Sequence, residues 1–267
     1  MKKQFIIVFA ALVSTAFTSC FKNPVTGRNS VNILPESEVM SLSKQEYTSY
    51  LAENKPISGT KDAETVKRVG AKMQVAVGKY LQSIGKQSLT NGYIWEFNLV
   101  NDNTANAFCM PGGKVVFNSG IMPLCANDAG VAVVMGHEIA HAIARHGNER
   151  MSQGLITQLG GMALSAAIAN KPEQTKQIYN RAYGITTQVG VILPYSRAHE
   201  SEADRMGLIF MAMAGYDPNE AISFWMRMAA AGGQKPPELL STHPSDETRI
   251  NDLRKHLPEA MKYYKPN

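Results

Sequence analysis

Apolar residues recur at helical spacing in several stretches of the chain, and one short region alternates as strands do. Between residues 62 and 84 the apolar positions lie three or four residues apart, which predicts an amphipathic helix. Similar patterns predict helices over about 36–53, 127–148, 196–214, 219–231 and 245–263. Alternation predicts a strand over 93–101, and two more strands over 105–110 and 114–118 that a Pro-Gly-Gly turn joins. A helix-rich chain with one small sheet belongs to the α+β class.

The first nineteen residues have the pattern of a bacterial signal peptide. Lys2 and Lys3 precede an apolar stretch, and small residues stand before Cys20. The run FTSC at 17–20 is similar to a lipoprotein cleavage box, in which the cysteine becomes the lipidated first residue; a plain secretory signal is the alternative. We therefore expect residues 1–19 to be a signal peptide. A lipid on Cys20 would anchor the protein to a membrane of the bacterial envelope, facing the periplasm, with the outer membrane favoured.

The length and composition of the rest of the chain predict one globular domain. Residues 20–35 are polar and predict a tether, which leaves 36–267 for the domain. The 267 residues are 44% hydrophobic and 18% charged, which excludes a disordered chain. Removal of the signal peptide lowers the formal net charge from +5 to +3, so the charge gives no reason to expect a nucleic-acid partner.

Two features of the mature chain stay open at this level. Cys109 and Cys125 could form a disulfide in an oxidising envelope, but the sequence does not show whether they meet. Residues 154–169 are apolar and small but too short for a membrane span, which needs about 20 residues. They predict a buried helix or a mobile flap, with contact to a membrane or an apolar substrate as the alternative.

The sequence HEIAH at residues 137–141 places two histidines four residues apart within a predicted helix. Successive residues of a helix turn by about 100°, so His137 and His141 lie about 40° apart on one face. Both imidazoles can then reach one zinc ion. Glu138 lies beside that face, where it can take a proton from zinc-bound water and pass it to a leaving amine. The motif therefore predicts a hydrolytic site with one Zn²⁺ per chain.

Two other residues of this predicted helix have simpler interpretations. Gly136 would let another backbone approach the helix closely, because it has no side chain. His146 would lie about 180° around a continuous helix from His137, which indicates a structural or surface position.

A catalytic zinc has three protein ligands and an open position, so a third ligand is expected further along the chain. The segment HESEAD at 199–204 offers three candidates. Glu200 and Asp204 share a helix face, so Glu200 could bind zinc while Asp204 holds a ligand imidazole. Glu200 is preferred on this ground, with Glu202 and His199 as alternatives; Glu202 could equally lie on a solvated face.

Taken together, these motifs resemble a known family. HEIAH at 137–141, ESEAD at 200–204 and HPSDETR at 243–249 are similar to the gluzincin metallopeptidases of the HtpX, Oma and CAAX-prenyl-protease type, peptidase family M48. NPVTGR at 23–28 is similar to the start of the periplasmic LoiP- and BepA-like lipoproteins of that family. The resemblance covers roughly residues 21–255. It implies a zincin-like α+β fold in which an edge strand of the small sheet flanks the active-site helix.

The resemblance also implies a role for each matching residue. The zinc ligands would be His137, His141 and Glu200. Glu138 would be the general base. His243 would face the metal, where it would stabilise the oxyanion or occupy the open position of the zinc in a resting state.

Further assignments follow from the same resemblance. Asp204 would support a ligand histidine, and Arg249 would brace this region. Asn106, Ala107 and Phe108 would belong to an edge strand that captures an extended peptide through main-chain hydrogen bonds. A plain hairpin with a packed Phe108 is the alternative for this strand.

These expectations favour a zinc endopeptidase of the bacterial cell envelope. Its partners would be protein or peptide substrates, with quality control of unfolded envelope proteins as its task. A peptide-binding or assembly lipoprotein with a structural zinc is the alternative, but a structural site needs no base at Glu138. A hydrolase for another bond is a third candidate, against which the edge strand argues.

Overall fold

The computed structural model is helix-rich with two small sheets, and it describes residues 20–185, 196–231, 239–240, 243 and 247–266. Its strands are β1 (Cys20–Lys22), β2 (Asn29–Val31), β3 (Glu96–Val100), β4 (Ala107–Met110) and β5 (Lys114–Asn118). Its helices are α1 (Glu36–Glu53), α2 (Lys61–Ser83), α3 (Met122–Cys125), α4 (Asp128–Ile143), α5 (His146–Leu159), α6 (Leu164–Asn170), α7 (Pro172–Ala182), α8 (Arg197–Met213), α9 (Glu220–Ala231) and α10 (Glu247–Ala260). The predicted α+β class is confirmed.

The larger sheet has the strand order β3-β5-β4, with β5 in the middle. β3 pairs with β5 in parallel, and Leu99 lies opposite Phe117. β4 pairs with β5 in the antiparallel sense, and Phe108 lies opposite Val116. β4 is therefore an edge strand of this sheet, and it packs against α4. This is the relation between edge strand and motif-bearing helix that the resemblance implied.

Helices α4 and α8 cross in the core with their backbones in contact. A Cβ added to Gly207 would lie 2.9 Å from the backbone nitrogen of His137, and one added to Gly136 would lie 2.9 Å from the carbonyl oxygen of Gly207. Only glycine leaves room for two backbones to approach this closely. The close approach that Gly136 predicted is confirmed, and it brings the two motif-bearing helices together.

The predicted continuous helix over 127–148 is wrong. α4 ends at Ile143, Arg145 has a left-handed backbone with φ 57°, and a new helix begins at His146. The break itself contains no glycine or proline; the nearest glycine lies two residues after Arg145, inside the new helix. Contacts made in the folded chain support it, because Nε of Arg145 lies 3.2 Å from Oε2 of Glu36.

The predicted tether over 20–35 contains the β1–β2 hairpin, and this segment packs against the rest of the described protein. Its Asn23 is buried, and Leu34 belongs to a cluster of buried apolar residues. The predicted signal peptide over 1–19 lies outside the described residues. No single helix of the described residues is long and apolar enough to cross a membrane; Ser119–Cys125 and Asp128–Ile143 meet that test only jointly, as a pair bent by 120°.

The apolar segment over 154–169 covers the end of α5, a turn and most of α6. Leu155 and Leu164 are buried, whereas Ile156 is 48% exposed. Four of its sixteen residues are buried and nine are exposed, so the segment contacts the core along one side and is otherwise open to solvent. Both Cys109 and Cys125 are buried free thiols, so no disulfide joins them.

Candidate metal centre

Four buried side chains meet beside the crossing of α4 and α8. His137 and His141 come from α4, Glu200 comes from α8, and His243 lies between α9 and α10. Nε2 of His137 lies 3.0 Å from Nε2 of His141 and 3.1 Å from Nδ1 of His243. Oε1 of Glu200 lies 2.9 Å from that Nδ1. One ligand atom from each residue lies within 4.8 Å of all the others, so the four side chains could hold a metal ion.

The charges in this cluster suit a cation. Burial raises the pKa of Glu200, but the positive charges of His243 and Arg249 outweigh it and hold that pKa well below the ordinary value. Burial lowers the pKa of His141 well below its ordinary value. Burial and the Arg249 charge lower the pKa of His137, but hydrogen bonds to two carboxylates raise it to about 9. A metal ion would therefore compete with a proton for the His137 nitrogen.

Glu138 lies beside the cluster rather than in it. Its Oε1 is 3.6 Å from Nε2 of His243 and has no hydrogen-bond partner among the described residues. Burial raises the pKa of this carboxyl although nearby histidines lower it. A buried carboxylate with a raised pKa, and with one oxygen that makes no hydrogen bond to the described residues, is placed to accept a proton from a small molecule at the cluster.

Asp204 lies on the side of His137 away from the cluster, and Arg249 contacts both Asp204 and the cluster itself. Oδ1 of Asp204 is 2.9 Å from Nδ1 of His137, so the ring can donate there while its other nitrogen faces the cluster. Arg249 donates two hydrogen bonds to Asp204, at 2.7 and 2.8 Å, and its Nη1 lies 2.8 Å from Oε2 of Glu200. The guanidinium also stacks on Trp225, with its carbon 3.5 Å from the ring centroid. Arg249 thus fixes the two carboxylates relative to each other.

The other candidates for the third ligand lie outside the cluster. Oε2 of Glu202 is 3.0 Å from Nε2 of His146, and Oε2 of Glu149 is 3.0 Å from Nε2 of His199. Arg28 contacts both carboxylates. Neither Glu202 nor His199 faces the position where the four clustered ligand atoms converge.

His146 does not lie where a continuous helix would place it, on the side opposite His137. Because the chain breaks at Arg145, the His146 ring turns back and its Nδ1 lies 2.8 Å from Nδ1 of His141. The ring is fully buried, and burial lowers its pKa to about 4. Sequence spacing could not find this contact, since no residue type marks the break.

The predicted edge-strand residues lie at the start of β4. Ala107 and Phe108 belong to the strand, and Asn106 precedes it with its side chain donating to the carbonyl of Gly184. Phe108 is buried and makes an edge-to-face contact with Tyr50, with ring centroids 5.2 Å apart. The side chain of Phe108 therefore packs in the core, while the strand lies at the edge of the sheet.

Comparison with known proteins settles the family. Residues 66–257 match peptidase family M48, and that range contains the HEIAH, ESEAD and HPSDETR motifs and every ligand candidate of the cluster. The chain belongs to peptidase family M48. Among its relatives, the mitochondrial metalloendopeptidase OMA1 of Saccharomyces cerevisiae is 40% identical over 200 residues, which is 72% of this chain and 55% of the relative.

Two other members of the M48 family extend the comparison. The mitochondrial metalloendopeptidase OMA1 of Bos taurus is 33% identical over 258 residues, 92% of this chain and 47% of the relative. The beta-barrel assembly-enhancing protease of Escherichia coli is 29% identical over 187 residues, 66% of this chain and 38% of the relative. The chain spans about half the length of the first of these curated relatives. It shares with them a family of metal-dependent peptidases.

Proposed function

We propose that this M48 chain is a zinc-dependent endopeptidase with His137, His141 and Glu200 as its metal ligands and Glu138 as its general base. The observation that carries the proposal is the position of Glu138. Its buried Oε1, which has no hydrogen-bond partner in the described part of the chain, lies beside a cluster of atoms that could hold a metal, and a site that only held the fold together would not need it.

The dimensions of the cluster support zinc as the metal. Ligands about 2.0–2.2 Å from a tetrahedral zinc lie roughly 3.4 Å from one another. Nε2 of His141 lies 3.0 Å from Nε2 of His137 and 3.4 Å from Oε1 of Glu200, and Oε2 of Glu200 lies 3.5 Å from Nε2 of His137. Two imidazoles and a carboxylate are also the donor set of many catalytic zinc sites.

The residues around the cluster have different roles in the proposed hydrolysis of a peptide bond. A bound zinc ion would supply Lewis acidity and make water nucleophilic near neutral pH. Glu138 takes the proton of the attacking water and gives it to the leaving nitrogen, for which its raised pKa suits it. Asp204 holds His137 in the tautomer whose free nitrogen faces the metal position, and Arg249 holds Asp204. His243 stabilises the oxyanion, or occupies the fourth position in a resting state.

The edge strand supports the choice of a peptide as substrate. β4 lies at the edge of the sheet and packs against the helix that carries HEIAH. An extended substrate that added a strand there would run across the metal position and would be held by main-chain hydrogen bonds. Asn106, Ala107 and Phe108 would contribute backbone groups to this binding.

A specific observation also favours a second candidate, a peptide-binding or assembly protein with a structural zinc. With His243 the cluster offers four protein ligands, which is the number that a closed structural site has. The two candidates differ in whether His243 leaves the metal to admit water, and in whether Glu138 matters.

The test compares the unaltered chain with Glu138→Gln and His243→Ala. Each is purified with its N-terminal segment, analysed for zinc, and incubated with an unfolded protein substrate. The proposal predicts one zinc per chain in the unaltered protein and in Glu138→Gln, with cleavage abolished in Glu138→Gln. In His243→Ala the cleavage rate should fall if His243 stabilises the oxyanion and rise if it occupies the fourth position of the metal. Bound zinc with no cleavage by the unaltered chain or by His243→Ala would support the structural site instead.

We further propose that the protein is a lipoprotein of the bacterial cell envelope that acts on unfolded envelope proteins. The FTSC run at 17–20 supports the anchor, and the relative named a beta-barrel assembly-enhancing protease supports an envelope task. Growth with a labelled fatty acid tests the anchor, because label in the unaltered chain should disappear in Cys20→Ser. Equal labelling of both chains would refute it.

A further inference from the structure

The loop that follows β1 is fixed to the core by polar contacts. Oδ1 of Asn23 accepts hydrogen bonds from the backbone nitrogens of Val25 and Thr26, at 2.9 and 3.0 Å. Gly27 has φ 76°, a left-handed conformation that glycine adopts without strain. This tight turn points Thr26 and Arg28 at helices α5 and α8.

Arg28 joins carboxylates from two different helices. Its Nε donates to Oε2 of Glu202 on α8 at 2.8 Å, and its two terminal nitrogens donate to Glu149 on α5 at 3.2 and 2.9 Å. Thr26 donates its hydroxyl to the other oxygen of Glu202. Glu202 is thereby supplied with donors from the N-terminal loop, in the manner in which Arg249 supplies Asp204.

Glu202 is connected to the proposed metal ligand His141 through the His146 ring. Its Oε2 lies 3.0 Å from Nε2 of His146, and Nδ1 of His146 lies 2.8 Å from Nδ1 of His141. His146 is fully buried and Glu202 is 5% exposed, so water has little access to compete for these bonds. The distances define one chain of contacts from Arg28 to the metal centre.

The hydrogens in this chain of contacts have one consistent order. If Nε2 of His141 offers its lone pair to a metal, its Nδ1 must carry the hydrogen. Nδ1 of His146, 2.8 Å away, can accept that hydrogen, and the hydrogen of His146 then sits on its Nε2 and is donated to Glu202. Glu202 is left as an acceptor, which is the role that Arg28 and Thr26 fit. His137 reaches its carboxylate, Asp204, directly, whereas His141 reaches one through a second imidazole.

We propose that Arg28, Thr26, Glu202 and His146 are positioning residues that hold the His141 ring in its metal-binding tautomer. The inference rests on the proposed function, since it takes His141 as a metal ligand. It assigns the segment just after Cys20 a part in forming the metal centre. Partners that support the orientation of ligand histidines typically change metal affinity by about 10–100-fold when they are removed.

The test measures metal binding without relying on turnover. The full chain is stripped of metal and titrated with Co²⁺, with the absorption spectrum of the bound ion recorded, and with Zn²⁺ against a competing chelator. The variants are Arg28→Ala, Arg28→Lys and Glu202→Gln. Arg205→Ala is the matched control, because Arg205 also makes a bidentate ion pair, with Glu259, and its side chain is 29% exposed against 27% for Arg28.

We expect Arg28→Ala and Glu202→Gln to weaken Co²⁺ and Zn²⁺ binding by about 10–100-fold and to alter the Co²⁺ spectrum. Arg28→Lys should lie between Arg28→Ala and the unaltered chain, and Arg205→Ala should match the unaltered chain. If Arg28→Ala does not fold, the nearly isosteric Glu202→Gln decides. Unaltered affinity and spectrum in every folded variant would overturn the inference alone. Failure of the unaltered chain to bind either metal would overturn the proposed function and this inference with it.

Discussion

The contact between Gly136 and Gly207 gives a quantitative test of how the two motif-bearing helices meet. In Gly207→Ala the new Cβ would lie 2.9 Å from the backbone nitrogen of His137 and 3.0 Å from the carbonyl carbon of Gly136. Favourable separations are about 3.5–4.0 Å, and backbone atoms cannot rotate away as side chains can. α4 and α8 would therefore have to separate by several tenths of an ångström.

The expected loss of stability follows from two opposing terms. Overpacking a core costs about 1–3 kcal/mol, and replacing glycine by alanine inside a helix recovers about 0.5–1 kcal/mol. Because the clash is with backbone, we take the upper part of the first range and expect a net loss of about 1–2 kcal/mol. For a chain of this size that corresponds to a fall in Tm of about 2–8 °C.

Gly78 provides the matched control, because it is an exposed glycine in α2 with no atom within 4 Å of an added Cβ. Gly78→Ala should gain about 0.5–1 kcal/mol, which raises Tm by about 1–4 °C. Thermal unfolding of the metal-free forms, followed by circular dichroism, measures both changes. Zinc affinity should fall in Gly207→Ala alone, because the separation moves Glu200 away from His137. Equal gains in Tm for the two variants would refute the close crossing.

Three further outcomes are expected. Arg249→Ala should lower the free energy of unfolding of the metal-free chain by about 3–5 kcal/mol in a denaturant titration, because it removes the buried cation that pairs with both Asp204 and Glu200. A loss within error of zero would contradict this. Burial raises the pKa of Glu149, but hydrogen bonds from His199 and Arg28 lower it to about 2. The stability that this carboxylate contributes is therefore full above pH about 4.5 and is lost as the pH falls toward 2. In a series of unfolding measurements at different pH, Glu149→Gln should show a smaller loss of stability over this range, and an unchanged profile would contradict this. Free zinc at about 1,000 times its Kd should stabilise the chain by about 4 kcal/mol, seen as a Tm that a chelator lowers; an unaffected Tm would contradict metal binding to the native state.

Local patterns predicted the elements well where neighbouring residues decide the structure. The bounds predicted for α1 and for β5 agree with the structure, and those of α2 and α8 differ by one residue at each end. The proximity of the His137 and His141 side chains was predictable for the same reason, because residues one helical turn apart lie on the same face.

Contacts between distant residues decided the parts that sequence reasoning missed. Arg145 adopts a left-handed backbone that few residues other than glycine adopt, and its ion pair with Glu36, 109 positions earlier in the chain, helps to hold it. That break carries His146 to His141, which no spacing rule could predict. Likewise the NPVTGR run resembled a family feature in sequence, but only the fold shows Arg28 between two helices.

Zinc-dependent cleavage can be measured most directly by adding zinc back to the metal-free chain. An unfolded protein substrate is incubated with a fixed amount of the chain while Zn²⁺ is added in steps, with His243→Ala measured in parallel. The proposed site predicts that the cleavage rate rises with added zinc and stops rising at one equivalent per chain, and that Glu138→Gln stays inactive throughout. Zinc that binds at one equivalent while neither the unaltered chain nor His243→Ala cleaves the substrate would contradict the proposal.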